Sequence, residues 1–211
     1  VLIGHGAGNV IANNQTGTDG TTAVGNMALS LLTSGIKNTA LGYNSSSALL
    51  QGNRNTALGY QALDALAGDD GNNAGSDNIA IGVDAMGSLN AGVHSDARAN
   101  SNIAIGNSAF LAGSMADSGA SVSQGNVAIG HEAVFSTGTN PHVGTTAVGF
   151  RALKALTSSP GCTAVGYRAG LNATTTDYST ALGYNTLGGN SSTTLTGNDN
   201  TALGANAGRD I

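Results

Sequence analysis

A four-residue string, Thr/Val/Ile-Ala-Ile/Leu/Val-Gly, returns eleven times along the 211 residues. Its copies are Val1–Gly4, Thr22–Gly25, Thr39–Gly42, Thr56–Gly59, Ile79–Gly82, Ile103–Gly106, Val127–Gly130, Thr146–Gly149, Thr163–Gly166, Thr180–Gly183 and Thr201–Gly204, and Leu2 is the one departure from Ala. Successive glycines lie 21, 17, 17, 23, 24, 24, 19, 17, 17 and 21 residues apart. Seventeen is the unit and the excess is insertion, which predicts a solenoid or roll whose rungs stack along one axis. We expect an all-β fold: a parallel β-roll or β-solenoid of about eleven rungs, forming one repeat domain over residues 1–211. Because the motif runs to both ends, a segment of a longer fibre is expected.

Each motif has the length and pattern of a short strand. The β-branched residue three before the Gly and the aliphatic residue one before it share a face at period two, and Ala and Gly take the other. Neither face is polar, so the strand is expected to be buried on both sides. A 17-residue coil, read as two strands of about five residues and two turns, is too thin to cover both faces itself. One face is therefore expected to meet another chain, and a homotrimer about a threefold axis would cover every rung at once.

Further rows follow the same register. Three residues after the Gly stands Ala in nine rungs, replaced by Ser45 and Thr186 in the other two. The next position is often bulky, as in Leu29, Leu63, Met86, Phe110, Val134, Leu153 and Leu187. Immediately after the Gly come Tyr43, Tyr60, Phe150, Tyr167 and Tyr184, which stacking at about 4.8 Å would align into a partial ladder. Asn38, Asn55, Asn78, Asn102, Asn126 and Asn200 precede the motif, and amides repeated rung on rung can bond the backbone or one another. Two residues after their glycines, Glu132, Arg151 and Arg168 should form a column, with Glu132 and Arg151 paired between rungs on an exposed surface.

Composition narrows the setting. Glycine supplies 33 residues, about twice ordinary usage, while charged residues are 9% and aromatics 4%, so small and aliphatic side chains must provide the burial. Seven Lys and Arg in a chain of net charge −5 make no stripe for phosphates, so nucleic acid is not an expected partner. Nor does any run approach the roughly 18 apolar residues of a spanning helix, so membrane insertion is not expected. The single Cys162 has no partner within the chain for a disulfide.

The string Asn55 to Leu63, Asn-Thr-Ala-Leu-Gly-Tyr-Gln-Ala-Leu, is similar to repeats in the shafts of bacteriophage tail fibres. Asn78 to Gly82 and Asn126 to Gly130 resemble the head repeats of trimeric autotransporter adhesins, whose heads are left-handed parallel β-rolls that trimerise. The 17-residue period and the Thr-Ala-Leu-Gly-Tyr form favour the fibre. The resemblance implies a structural fibre segment, on a virion or otherwise extracellular, that spaces and presents a host-attachment tip. An adhesin head binding a surface ligand directly is the alternative, and an ice-binding solenoid a weaker one.

Chemistry has little to start from. Glu132 is the one glutamate, and His5, His94, His131 and His142 lack metal-ligand spacing. No enzyme is expected, and a polysaccharide depolymerase would need grouped carboxylates. Cys162 stands where other rungs carry Asn, as a tolerated thiol. The Gly4 to Gly8 run imitates a phosphate loop without its Lys. No cofactor is expected beyond Ca²⁺, for which Asp69, Asp70 and Asp77 are candidates in the longest acidic loop. The three largest insertions place protruding loops near residues 67–77, 90–101 and 113–125. Their polar residues Asn72, Asn73, His94, Asp96, Arg98 and Asp117 are the candidate contacts with a host cell-surface glycan or protein.

Overall fold

The computed structural model describes residues 1–11, 19–66, 75–89, 98–111, 122–135, 142–157, 160–188 and 195–209. Among them there is no α-helix, and thirteen short strands are present. They are β1 (Leu2–Ile3), β2 (Thr22–Val24), β3 (Thr39–Leu41), β4 (Thr56–Leu58), β5 (Ile79–Ile81), β6 (Arg98–Asn100), β7 (Ile103–Ile105), β8 (Val122–Gln124), β9 (Val127–Ile129), β10 (Thr146–Val148), β11 (Thr163–Val165), β12 (Thr180–Leu182) and β13 (Thr201–Leu203). Eleven of these, all but β6 and β8, form one sheet in sequence order. Every pairing is parallel and motif on motif: Thr22 faces Thr39, Thr56 faces Ile79, and Thr146 faces Thr163. The fold is thus a parallel β-solenoid in which each motif contributes one strand.

The expected coil of two five-residue strands is corrected. Each motif strand has at most three residues, and most rungs have no second strand among the described residues. The central Ala faces inward and is buried from Ala23 to Ala202, whereas the residues on either side of it face outward and are exposed or half-exposed. The chain alone therefore covers only one face of its sheet. Inside, the small strand residues leave room for a bulky row from the turns, including Leu29, Leu63, Met86 and Phe110, and for a second row at Leu32, Leu49, Leu66, Leu89 and Leu156. Ser45 and Thr186, which replace Ala in its row, are buried hydroxyls donating to the Ala57 and Gly204 carbonyls of the next rung. Their polarity is therefore satisfied without solvent.

Ala followed by a large aliphatic residue is favourable helix sequence, yet the segment after each motif is not helical. Positions two and four after the Gly have positive φ, as in Met27 (58°) and Leu29 (50°), Gln61 (52°) and Leu63 (56°), and Glu132 (53°) and Val134 (49°). Such values are unfavourable for isolated L-residues and worst for a β-branched one. The stack holds them by sending successive donors opposite ways along the axis. Met27 N donates to His5 O on the preceding rung, and Leu29 N donates to Ser45 O on the following one. No single rung can form both bonds, so the conformation exists only in the stack.

Strands β6 and β8 pair in parallel and belong to the long-spacing rungs, with Gln124 bridging on to Val143. The protruding-loop expectation over 90–101 and 113–125 is corrected to that extent. Residues 98–100 and 122–124 are wall, and Ala99 and Ser123 are buried within it.

Candidate functional site

The inner wall carries a column of amides. Asn55, Asn78, Asn102 and Asn126 each donate from both the backbone N and Nδ2 to Oδ1 of the preceding Asn, at 2.9 to 3.2 Å. The same Nδ2 donates forward to a carbonyl of the next rung: Gly75, Ala99, Ser123 and His142 at 2.7 to 2.9 Å. Thr145 N closes the run on Asn126 Oδ1 at 2.9 Å. Being buried and mutually saturated, this column is structural. Cys162 occupies the same register, is buried, and donates from Sγ to the Thr176 carbonyl of the following rung. The thiol thus takes over the forward bond that the amides make elsewhere. The Gly4 to Gly8 run forms the corner and turn of the first rung.

On the outside, rings stack where the register places them. Tyr43 and Tyr60 have centroids 5.5 Å apart. His131, Phe150, Tyr167 and Tyr184 form a four-ring column at 5.4, 5.3 and 5.1 Å. Arg151 lies over Phe150 at 4.9 Å and Arg168 over Tyr167 at 5.1 Å. Beside them, Glu132 Oε2 accepts from Arg151 Nε at 2.6 Å and from Lys154 Nζ at 2.7 Å. The predicted Glu132 and Arg151 pair is present, but it is partly buried rather than exposed, and Lys154 joins it as a third member that the two-residue column does not contain. Hydrogen bonds from Lys154 and then Arg151 hold the Glu132 carboxyl below its usual range, against the opposing effect of burial. Arg168 is turned onto its ring instead, and its buried Nε has no hydrogen-bond partner among the described residues.

Next to this cluster an open groove of about 450 Å³ is lined by Phe135, Arg151, Lys154, Ala155, Leu171 and Asn172. Phe135, Lys154 and Leu171 each stand five residues after their motif Gly. Following that column as well as the one at two residues would have located the groove from sequence.

The candidate ligand residues are placed unevenly. Asp69, Asp70, Asn72, Asn73, His94, Asp96 and Asp117 lie outside the described residues. Asp77 is exposed and paired with Arg54, whose Nε and Nη2 donate to Oδ1 and Oδ2 at 2.5 and 2.7 Å. Those bonds lower the Asp77 pKa and raise that of Arg54. Arg98 is exposed at the start of β6. Among the described residues, no three of His, Cys, Asp and Glu gather as a metal site.

One carboxylate pair joins two columns of the register, Asp64 five residues after Gly59 and Asp84 two after Gly82. Asp64 and Asp84 become neighbours on adjacent rungs, and burial, then the Asp84 charge, push the Asp64 pKa up to about 6. Asp64 Oδ1 is buried without a partner among the described residues. With the folded pKa above the ordinary value, the native state binds more protons than the unfolded one between about pH 4 and 6, and stability falls as pH rises through that window. Asp64→Asn should therefore raise the melting temperature at pH 8, and the gain should vanish below pH 4. Melting curves at the two pH values check this, and equal gains at both would contradict it.

No family model, curated protein or solved structure matches the chain, so its function has to be read from its own geometry.

Proposed function

We propose that the chain is a structural fibre segment, of the kind found in phage tail-fibre shafts or similar extracellular fibres. It assembles as a homotrimeric rod that spaces and presents a host-attachment tip. The carrying observation is the outward face of the eleven-stranded sheet. Its two rows, from Val1 and Ile3 to Thr201 and Leu203, contain no charged residue. They include exposed aliphatic side chains along the length: Leu41 (45%), Leu58 (42%), Ile105 (37%) and Leu182 (45%). An apolar surface of this extent on a soluble rod calls for a partner.

The partner that matches a row repeating at every strand spacing over the whole sheet is another copy with the same repeat. Cyclic symmetry then covers each rung identically, and three copies about one axis cover one another's sheets. The Thr row does not suit an ice-binding face, because Ile79, Ile103 and Val127 interrupt it and its neighbours on the same face are all aliphatic. Direct binding by an adhesin-like head is the second reading, favoured by the four-ring column with its two arginines.

Ile105→Asp places a charge in the middle of the face without touching the chain's own interior. It should convert the assembled species to monomer in sedimentation velocity while the circular dichroism spectrum is retained. Assembly that survives this substitution would count against the face as the contact.

A further inference from the structure

We infer that the groove beside Glu132 is a binding subsite for a carboxylate-bearing sugar, a uronic acid residue of a cell-surface or matrix polysaccharide. Its volume, about 450 Å³, falls in the range of small-molecule sites. Two cations line it, and both donate to the same atom, Glu132 Oε2. One positive charge is thus left over, together with the Nη donors of Arg151 and further protons on Lys154.

The surplus is not offset nearby in sequence. From Ala133 to Thr176 the chain has no Asp or Glu but carries Arg151, Lys154 and Arg168, although its net charge is −5. The cations are also held in place before any ligand arrives. Arg151 rests on Phe150 at 4.9 Å and Lys154 on Phe135 at 5.1 Å, while Glu132 fixes their inner ends. An anion docking there meets charge that needs little reordering, which is where binding energy is otherwise lost.

The rest of the lining argues for a sugar rather than a bare anion. Phe135, Ala155 and Leu171 offer apolar surface to the C–H face of a pyranose. Arg151 supplies the planar fork that matches a carboxylate. The groove is lined by residues of the turn segments and not of the outward strand face, so this inference does not depend on the assembly proposed above.

Titration calorimetry on the full chain at low salt tests it, with glucuronate, glucose and inorganic sulfate as probes. Glucuronate should bind at least about tenfold more tightly than either of the other two, and more weakly as salt is added. Lys154→Met should weaken glucuronate about tenfold. Leu171→Glu, which leaves both cations in place and adds a carboxylate to the lining, should abolish binding. Arg209→Gln, remote from the groove, should change nothing. Equal affinity for glucuronate and glucose, sulfate binding as tightly as glucuronate, or a Leu171→Glu variant that binds like the parent would each overturn the proposal.

Discussion

Gly106→Ala is expected to be among the most damaging single substitutions in the chain, at a cost of about 3 to 5 kcal/mol. The Gly106 backbone has φ +136°, and a Cβ placed there would meet the Gly130 carbonyl carbon and oxygen at 2.7 Å and His131 N at 3.2 Å. Two costs combine. Backbone conformations reserved for glycine cost an L-residue about 1 to 3 kcal/mol, and overpacking against atoms that cannot rotate away adds about 1 to 3 more. The matched control is Gly144, with φ +67° and nothing within 4 Å of the position a Cβ would take. Lys37 and Arg54 occupy the same register position at φ 61° and 56°. Gly144→Lys should thus be nearly neutral, within about 0.5 kcal/mol. Chemical denaturation of the two variants side by side separates the glycines that close the corner from those that merely tolerate a left-handed turn, and similar costs for both would show that the corner is not where the constraint lies.

Asn102→Leu should be comparably severe. The substitution leaves Asn126 N and the Ser123 carbonyl without the side-chain partners Asn102 provides, and takes one of two bonds from Asn78 Oδ1, which keeps the backbone N of residue 102, and from Asn126 Nδ2, which keeps the His142 carbonyl. Orphaned buried polar groups cost about 1 to 3 kcal/mol each, though neighbours in one network do not add independently, so a loss of about 3 to 5 kcal/mol is expected. Cys162→Ala removes one weak donor from the same column and should cost about 1 kcal/mol. Denaturation midpoints for the pair, with amide hydrogen exchange across the middle rungs, provide the check. A neutral Asn102→Leu would mean that the amide column is incidental to the stack.

Much of this architecture is legible in the sequence because a solenoid repeats its physics. The motif sets the register directly, and Thr146 indeed lies on Thr163 and Ala147 on Ala164. The amide column and ring stacks follow from the same arithmetic, as does the Glu132 and Arg151 pair. The turns are less transparent. Leu63, Phe110 and Val134 hold positive φ that their own side chains disfavour, and the compensating bonds come from the rungs on either side. Local preference therefore points away from the answer there. Asp64 and Asp84 meet as Lys154 and Glu132 do, the fifth position of one rung beside the second of its neighbour, a relation between two columns that neither column shows alone. The inner leucines at 32, 49, 66 and 89 recur seven residues after their glycines, a signal present in the sequence but diluted by the insertions that follow. Residues 98–100 and 122–124 show why insertion length alone misleads: part of the added chain widens the wall before the next motif begins.

The mass of the native assembly tests most directly the proposal that the outward face is a contact between copies. Sedimentation equilibrium of the full chain at neutral pH, with no denaturant, should return three times the 20.5 kDa chain mass, about 62 kDa. A stable 20.5 kDa species that keeps its parallel-sheet spectrum over the same concentration range would contradict the fibre reading, since the exposed leucine and isoleucine rows would then need no partner.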